Sequence, residues 1–251
     1  MLNNWLKFKQ RIQQAIFSGH CTLCTSNHAE DCGICADCLA DLPWQPVESC
    51  PQCALPSLGA QVCGACLREP PFFDATYSVF TYDYPIDSLM AAYKYGDQLN
   101  LSHTFGALLK THLLNGFAIP DSKLNGFELP KTDFQHIDLI IPMPMHPTRL
   151  KLRGFNQAIE IARFFDKKLV RNSLVSRITL TPPQASLPLK ERVKNIKGAF
   201  NVAGDVRGKR IAIVDDVMTS GASLNELAKT LKKAGASHVE CWVIARTLPH
   251  G

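Results

Sequence analysis

The hydrophobic pattern changes character near residue 71. From Phe72 onward, short apolar runs of strand length alternate with stretches of helical spacing. Ala75 to Tyr82 alternates like a half-buried strand, and Leu99 to Leu114 carries the 3.6-residue spacing of a helix. Ile137 to Pro142 is a continuous apolar run closed by proline, the signature of a buried strand. Asn156 to Val170 reads as a helix, Arg210 to Val217 as a strand, Ser223 to Ala234 as a helix and Val239 to Arg246 as the closing strand. Such alternation predicts an α/β fold with a mostly parallel sheet flanked by helices. The stretch from Asn115 to Gln135 carries two prolines and two glycines and reads as a surface insertion.

The first seventy residues obey a different rule. Met1 to His20 places Leu2, Trp5, Leu6, Ile12, Ala15 and Ile16 near one helical face, so residues 1–20 are expected to form a short amphipathic helix. Residues 21–70 are rich in cysteine, proline and glycine and lack hydrophobic periodicity. They cannot bury an ordinary core and need a metal instead. The expected division is therefore 1–20, 21–70 and an α/β domain over 71–251. No apolar run reaches the roughly 18 residues that span a bilayer. The N-terminus also lacks the apolar core of a secretory signal. The expectation is a cytoplasmic protein without stable membrane insertion.

Nine of the ten cysteines precede residue 67. In a chain without a secretory signal, that clustering favours metal ligation over disulfides. The pairs Cys21/Cys24, Cys35/Cys38, Cys50/Cys53 and Cys63/Cys66 are each separated by two residues. Ten residues lie between the pairs of the first half and nine between those of the second. A C-x-x-C knuckle offers two thiolates to one tetrahedral ion, and a second knuckle completes the shell. The simplest assignment is two tandem zinc ribbons whose full shells make them structural. Cys32 could compete as a ligand in the first. Cys241, in a predicted core strand, is expected to be a small buried residue.

Charge is distributed unevenly. Residues 1–70 hold four Lys/Arg against six Asp/Glu, a balance of −2, whereas residues 146–210 hold fifteen against four, a balance of +11. A block that basic suits a polyanion, either a pyrophosphate or a nucleic-acid backbone. Its bland alternative is a solvated basic face.

Beside that block lies the most informative stretch, Arg210 to Ser223. An apolar strand runs into Asp215 and Asp216, then into Val217, Met218, Thr219, Ser220, Gly221, Ala222 and Ser223, and so into a helix. Backbone N–H groups and hydroxyls at such a junction can cradle a phosphate, and adjacent carboxylates can hold ribose hydroxyls directly or through Mg²⁺. Neither a P-loop nor a dinucleotide fingerprint is present.

This stretch resembles the motif that binds 5-phosphoribosyl-1-pyrophosphate (PRPP) in type I phosphoribosyltransferases. Two further runs narrow the likeness: Pro142 and Pro144 leading through His146 and Arg149 to Arg153-Gly154-Phe155-Asn156-Gln157, and then Arg177, Gln184, Arg192, Asn195, Gly198 and Phe200. With the tandem cysteine pairs and Tyr93-Lys94-Tyr95, the chain is similar to the ComF family, whose members include ComFC and GntX-like proteins, over residues 16 to 248. The resemblance implies a type I phosphoribosyltransferase fold behind an N-terminal double zinc ribbon. It implies that Asp215 and Asp216 are the catalytic carboxylates on the ribose, with PRPP and Mg²⁺ as ligands. Thr219 to Ser223 would then wrap the 5-phosphate, with Val217 and Met218 completing the PRPP-binding run. The turn after Ile141-Pro142 would approach the pyrophosphate, with Arg149 and Arg153 as its charge partners. Arg153, Asn156, Gln157, Arg177, Arg192 and Lys194 become candidates for pyrophosphate or nucleic acid. The cysteine-rich region could take the place of the hood that recognises the acceptor in these folds.

Three functions stay open at this level. One is handling of single-stranded DNA during natural transformation, together with other DNA-uptake proteins, as the resemblance implies. Phe155, Phe164, Phe165 and Phe200 could then stack on bases, although their helical spacing more often marks core. The second is a phosphoribosyltransferase acting on an unidentified acceptor, and the third is a PRPP sensor without turnover.

Overall fold

The computed structural model describes residues 19–96, 98–115, 136–180 and 195–249. The expected leading helix falls almost wholly outside these, as do the insertion after Asn115 and the candidates Arg192 and Lys194.

Four parallel strands form the central sheet: β1 (Ala75–Thr81), β2 (Leu139–Pro142), β5 (Arg210–Met218) and β6 (His238–Arg246), in the order β1-β6-β5-β2. The middle strands β5 and β6 are apolar along nearly their whole length, as strands covered on both faces must be. β3 (Val175–Arg177) and β4 (Phe200–Val202) pair antiparallel as a separate small ribbon.

The helices of this region are α3 (Ile86–Tyr95), α4 (Leu101–Asn115), α5 (Pro147–Arg153), α6 (Gln157–Ala162) and α7 (Ala222–Lys233). Two short helices, α1 (Ala36–Ala40) and α2 (Gly64–Arg68), start within the second knuckle of each cysteine half, capped by Cys35 and Cys63 and containing Cys38 and Cys66.

Two apolar layers sandwich the sheet. On one face Ala212, Val214, Trp242 and Ile244 meet Met90, Tyr93, Phe105 and Leu109. On the other, Ile211, Ile213, Cys241 and Val243 meet Leu224, Leu227 and Leu231 of α7, with Val175 and Phe200 of the small ribbon. The layers follow the two-residue alternation of strand side chains. Cys241 is buried in the second layer, as expected.

Seven predicted elements recur with ends shifted by one or two residues, with one exception. The helix begun at Asn156 stops at Ala162, and the chain then passes through turns, one held by the Lys168 amide donating to Asp166 Oδ1 at 2.8 Å, to bridge β2 at Ile140 through Val170. Helix α3 was not anticipated, yet Ile86, Leu89, Met90 and Tyr93 are its buried residues at helical spacing. The cysteine-rich segment does contribute apolar core, contrary to expectation. Cys21, Ile34, Cys35, Leu42 and Trp44 join the same layer as Phe80 and Tyr93. Among the described residues, no helix is long and apolar enough to cross a membrane.

Candidate functional site

Strand β5 runs two residues past the carboxylates before the chain turns into α7 at Gly221, so Asp215 and Asp216 are strand residues. Consecutive strand residues point to opposite faces, and the two acids have different neighbours accordingly. Asp216 is 8% exposed and accepts from Lys94 Nζ at 3.1 Å, on the α3 side. Asp215 lies on the other side, toward Arg177, and its Oδ1 accepts from the Asp216 amide at 2.9 Å. Burial and the charge of Asp216 push the Asp215 carboxyl up to about 7, against the smaller opposing pull of Lys94 and Arg177.

The loop after β5 divides by exposure. Val217 and Met218 pack into the two core layers, so only their backbone can face a ligand. Thr219 is exposed, while Ser220, Ala222 and Ser223 are half-buried. Gly221 adopts φ 76° as the residue before α7, and a Cβ there would lie 2.7 Å from Met218 Cε. The positive φ is what favours glycine, since the end of the Met218 side chain can swing aside. The loop therefore presents backbone amides at the start of a twelve-residue helix with little side-chain bulk.

A row of arginines reaches the acidic strand end through Arg177, which lies near Asp215. Arg149 and Arg153 lie on α5, and Arg177 ends β3. Burial and the neighbouring Arg153 lower the pKa of Arg149, and burial with Arg149 lowers that of Arg177. Mutual repulsion of this kind is relieved by an anion. Arg153 Nη1 donates to Gln157 Oε1 at 3.1 Å, and its guanidinium stands 5.0 Å over the ring of Tyr95. Tyr95 itself is 78% exposed, and nearby on α5 Leu152 is 85% exposed.

Asn156 and Gln157 serve the scaffold. The buried Asn156 caps α6 by accepting from the Ala158 amide at 2.9 Å and donates to the Met143 carbonyl at 3.0 Å, which fixes the turn after β2. The Gln157 carbonyl accepts from Tyr93 Oη at 3.2 Å. Two of the four proposed stacking aromatics are core and two are half-buried. Phe165 and Phe200 are buried, Phe155 packs on Tyr93 at 5.6 Å, and Phe164 packs on His103 at 5.3 Å.

The cysteines gather into two clusters: Cys21, Cys24, Cys35 and Cys38, and Cys50, Cys53, Cys63 and Cys66. Within each, all four Sγ atoms lie within 4.8 Å of one another, and Cys24 Sγ–Cys35 Sγ and Cys53 Sγ–Cys63 Sγ are each 3.6 Å apart. A tetrahedral Zn–S shell places sulfurs about 3.8 Å apart, so both clusters fit zinc. The Cys63 amide donates to Cys50 Sγ at 3.3 Å, which stabilises a thiolate. Cys32 is not in the first cluster. Its thiol donates to the Ile34 carbonyl at 3.8 Å within the core, which settles the competition in favour of the four paired cysteines.

A parallel sheet flanked by helices, carried behind two four-cysteine clusters, is the architecture of a phosphoribosyltransferase-type domain with an N-terminal double zinc ribbon. The model of the phosphoribosyl transferase domain matches residues 152–248, and that of the double zinc ribbon domain matches residues 12–67. Over nearly its full length the chain is 31% identical to Competence protein F of Haemophilus influenzae, covering 92% of this chain and 98% of that one. It is 30% identical to DNA utilization protein YhgH of Salmonella typhimurium with the same coverage. Competence protein ComFC of Streptococcus pneumoniae is 25% identical over 86% of this chain and 89% of its own. The chain belongs to the ComF family. Among solved structures, a purine phosphoribosyltransferase from Pyrococcus horikoshii matches 68% of this chain and 88% of its own at 15% identity and a TM-score of 0.31. At that level the site is read from this chain's own geometry.

Two residues of the site escaped the sequence reading. Lys94 had been noted only within a resemblance, although its helix was legible in the spacing of Ile86, Leu89, Met90 and Tyr93. Arg246 looked like the end of a strand, yet a cation closing an apolar run is itself a signal. It is 4% exposed, and its guanidinium donates to four backbone carbonyls.

Proposed function

We propose that this protein binds PRPP with Mg²⁺ at the strand end and loop from Asp215 to Ser223, and handles single-stranded DNA in a competence-related process. The observation that carries the reading is the meeting of opposite charges around one loop: Asp215 and Asp216 on β5, with Lys94, Arg149 and Arg177 converging from three other elements. Bound sugar hydroxyls would meet Asp215 and Asp216, the 5-phosphate would meet the amides of 219–223, and the pyrophosphate would meet the row of arginines. Mg²⁺ would supply charge neutralisation between carboxylate and pyrophosphate.

The DNA half of the proposal follows the names of the relatives, a competence protein and a DNA utilization protein. It is supported by Arg153 stacked on the exposed Tyr95, a pairing that offers both charge and a π-face to a strand. Cytoplasmic residence and contact with other DNA-uptake proteins belong to the same proposal.

Calorimetric titration of the zinc-loaded protein with PRPP and Mg²⁺ tests the ligand site. Saturable binding that disappears in the Asp215→Asn, Asp216→Asn double variant supports it, and absence of binding by the folded wild type removes it. Pyrophosphate release in the same mixture would place the protein among catalysts. Binding without release would make it a sensor.

A further inference from the structure

The second ribbon is docked through the backbone of its first knuckle. The carbonyls of Pro51, Gln52, Cys53 and Ala54 accept, in turn, from the Thr76 amide at 3.0 Å, Thr76 Oγ1 at 2.5 Å, Arg246 Nε at 2.8 Å and Gln45 Nε2 at 2.6 Å. Four successive carbonyls of this knuckle are taken up by the rest of the chain, while the thiols of Cys50 and Cys53 turn toward the ligand cluster. The metal thus decides where these carbonyls stand, since closing the shell fixes the knuckle's path.

Arg246 then carries the chain of contacts further. Its Nη1 donates to the Met218 carbonyl at 2.9 Å, to the Thr247 carbonyl at 2.8 Å and to the Thr219 carbonyl. Met218 and Thr219 form the entry to the loop read above as the phosphate cradle. One planar, buried guanidinium therefore holds a metal ligand's carbonyl on one edge and the loop's carbonyls on another. Its donors cannot shift independently, and none can be left unsatisfied at low cost. The first ribbon has no comparable link among the described residues. It packs instead against α4, where Gly33 approaches Thr104.

We infer that Arg246 is a positioning residue that couples metal occupancy of the second ribbon to the shape of the 219–223 loop. Zinc at Cys50, Cys53, Cys63 and Cys66 holds the loop in its ligand-ready form, and by reciprocity a ligand in the loop holds the zinc. The coupling rests on the PRPP reading only for its functional consequence. The contacts stand without it.

The test uses the full zinc-loaded chain and hydrogen exchange of the amides over 217–223. Cys63→Ser opens the second shell, Cys38→Ser opens the first, and Arg246→Met removes the link while leaving all eight ligands. Cys63→Ser and Arg246→Met should each speed exchange of the loop roughly tenfold. Combining them should add nothing, and Cys38→Ser should leave the loop at the wild-type rate. Should Cys63→Ser fail to fold, Arg246→Met with both metals retained carries the test. A chromophoric chelator gives the reciprocal readout: PRPP with Mg²⁺ should slow release of one zinc in the wild type and of neither in Arg246→Met. Loop exchange unchanged in Arg246→Met, or raised equally by Cys38→Ser, overturns the coupling. Failure of the wild type to bind PRPP removes the ligand reading alone, because the exchange data still decide whether metal and loop are linked.

Discussion

Lys94 Nζ sits 3.1 Å from Asp216 Oδ1, and both side chains are largely enclosed. The pair ties the last turn of α3 to the strand end that carries the acidic pair. Removing the cation leaves a carboxylate with little water to solvate it. Because the pair retains some exposure, we expect Lys94→Met to cost about 1–3 kcal/mol. That corresponds to a fall in Tm of roughly 3–10 °C by differential scanning fluorimetry. Adding Asp216→Asn should recover part of the loss. An additive double variant would show that the two groups do not interact.

The Asp215 carboxyl, raised to about 7, makes stability and ligand binding move in opposite directions with pH. The native state binds more protons than the unfolded chain between pH 4 and 7, so this group's contribution to stability declines as pH rises through that window. Asp215→Asn should therefore raise Tm more at pH 8 than at pH 5. Binding of PRPP with Mg²⁺ requires the ionised acid, and affinity should rise about tenfold from pH 6 to pH 8. Asp216→Asn removes a repelling charge and should shift that rise to lower pH. A pH-independent affinity would exclude Asp215 from the ligand site.

Gly221 should not tolerate even a methyl group. With φ at 76°, Gly221→Ala should cost about 1–2 kcal/mol from the left-handed backbone, with the end of the Met218 side chain moving aside. It should also weaken PRPP binding by more than it lowers stability at a distance, because the displaced segment is the loop itself. Calorimetry and thermal melts on the same sample separate the two effects.

If the row of arginines meets single-stranded DNA, affinity should fall steeply with salt in a fluorescence anisotropy titration. Arg149→Ala and Arg153→Ala should flatten that slope by about one unit each. Tyr95→Ala should cost roughly 1–3 kcal/mol of affinity while leaving the slope unchanged, because it removes stacking and no charge. Phe165→Ala, by contrast, should act through stability, since that ring packs on Trp242 at 5.3 Å inside the sheet's cover.

Local chemistry made much of this protein legible in its sequence. Apolar runs named the four strands of the sheet, because a strand covered on both faces has no choice of residue. The repeated C-x-x-C spacing named both metal clusters, since tetrahedral ligation constrains spacing within a few residues. The run from Asp215 to Ser223 was legible as a strand, a glycine turn and a helix start because the three are contiguous. What the sequence could not decide involves partners far apart along the chain. Cys53 and Arg246 are 193 residues apart, and only the docking of the ribbon on the sheet brings a carbonyl of one to the guanidinium of the other. Asp215 and Asp216 looked equivalent as neighbours, and only the continuation of β5 sent one toward Lys94 and the other toward Arg177. Likewise Phe165 and Tyr95 are both aromatics near basic residues, and it took the packed layers to bury the first and leave the second in water. Burial and long-range pairing are properties of the assembled chain, because a side chain's solvent is whatever the rest of the fold leaves around it.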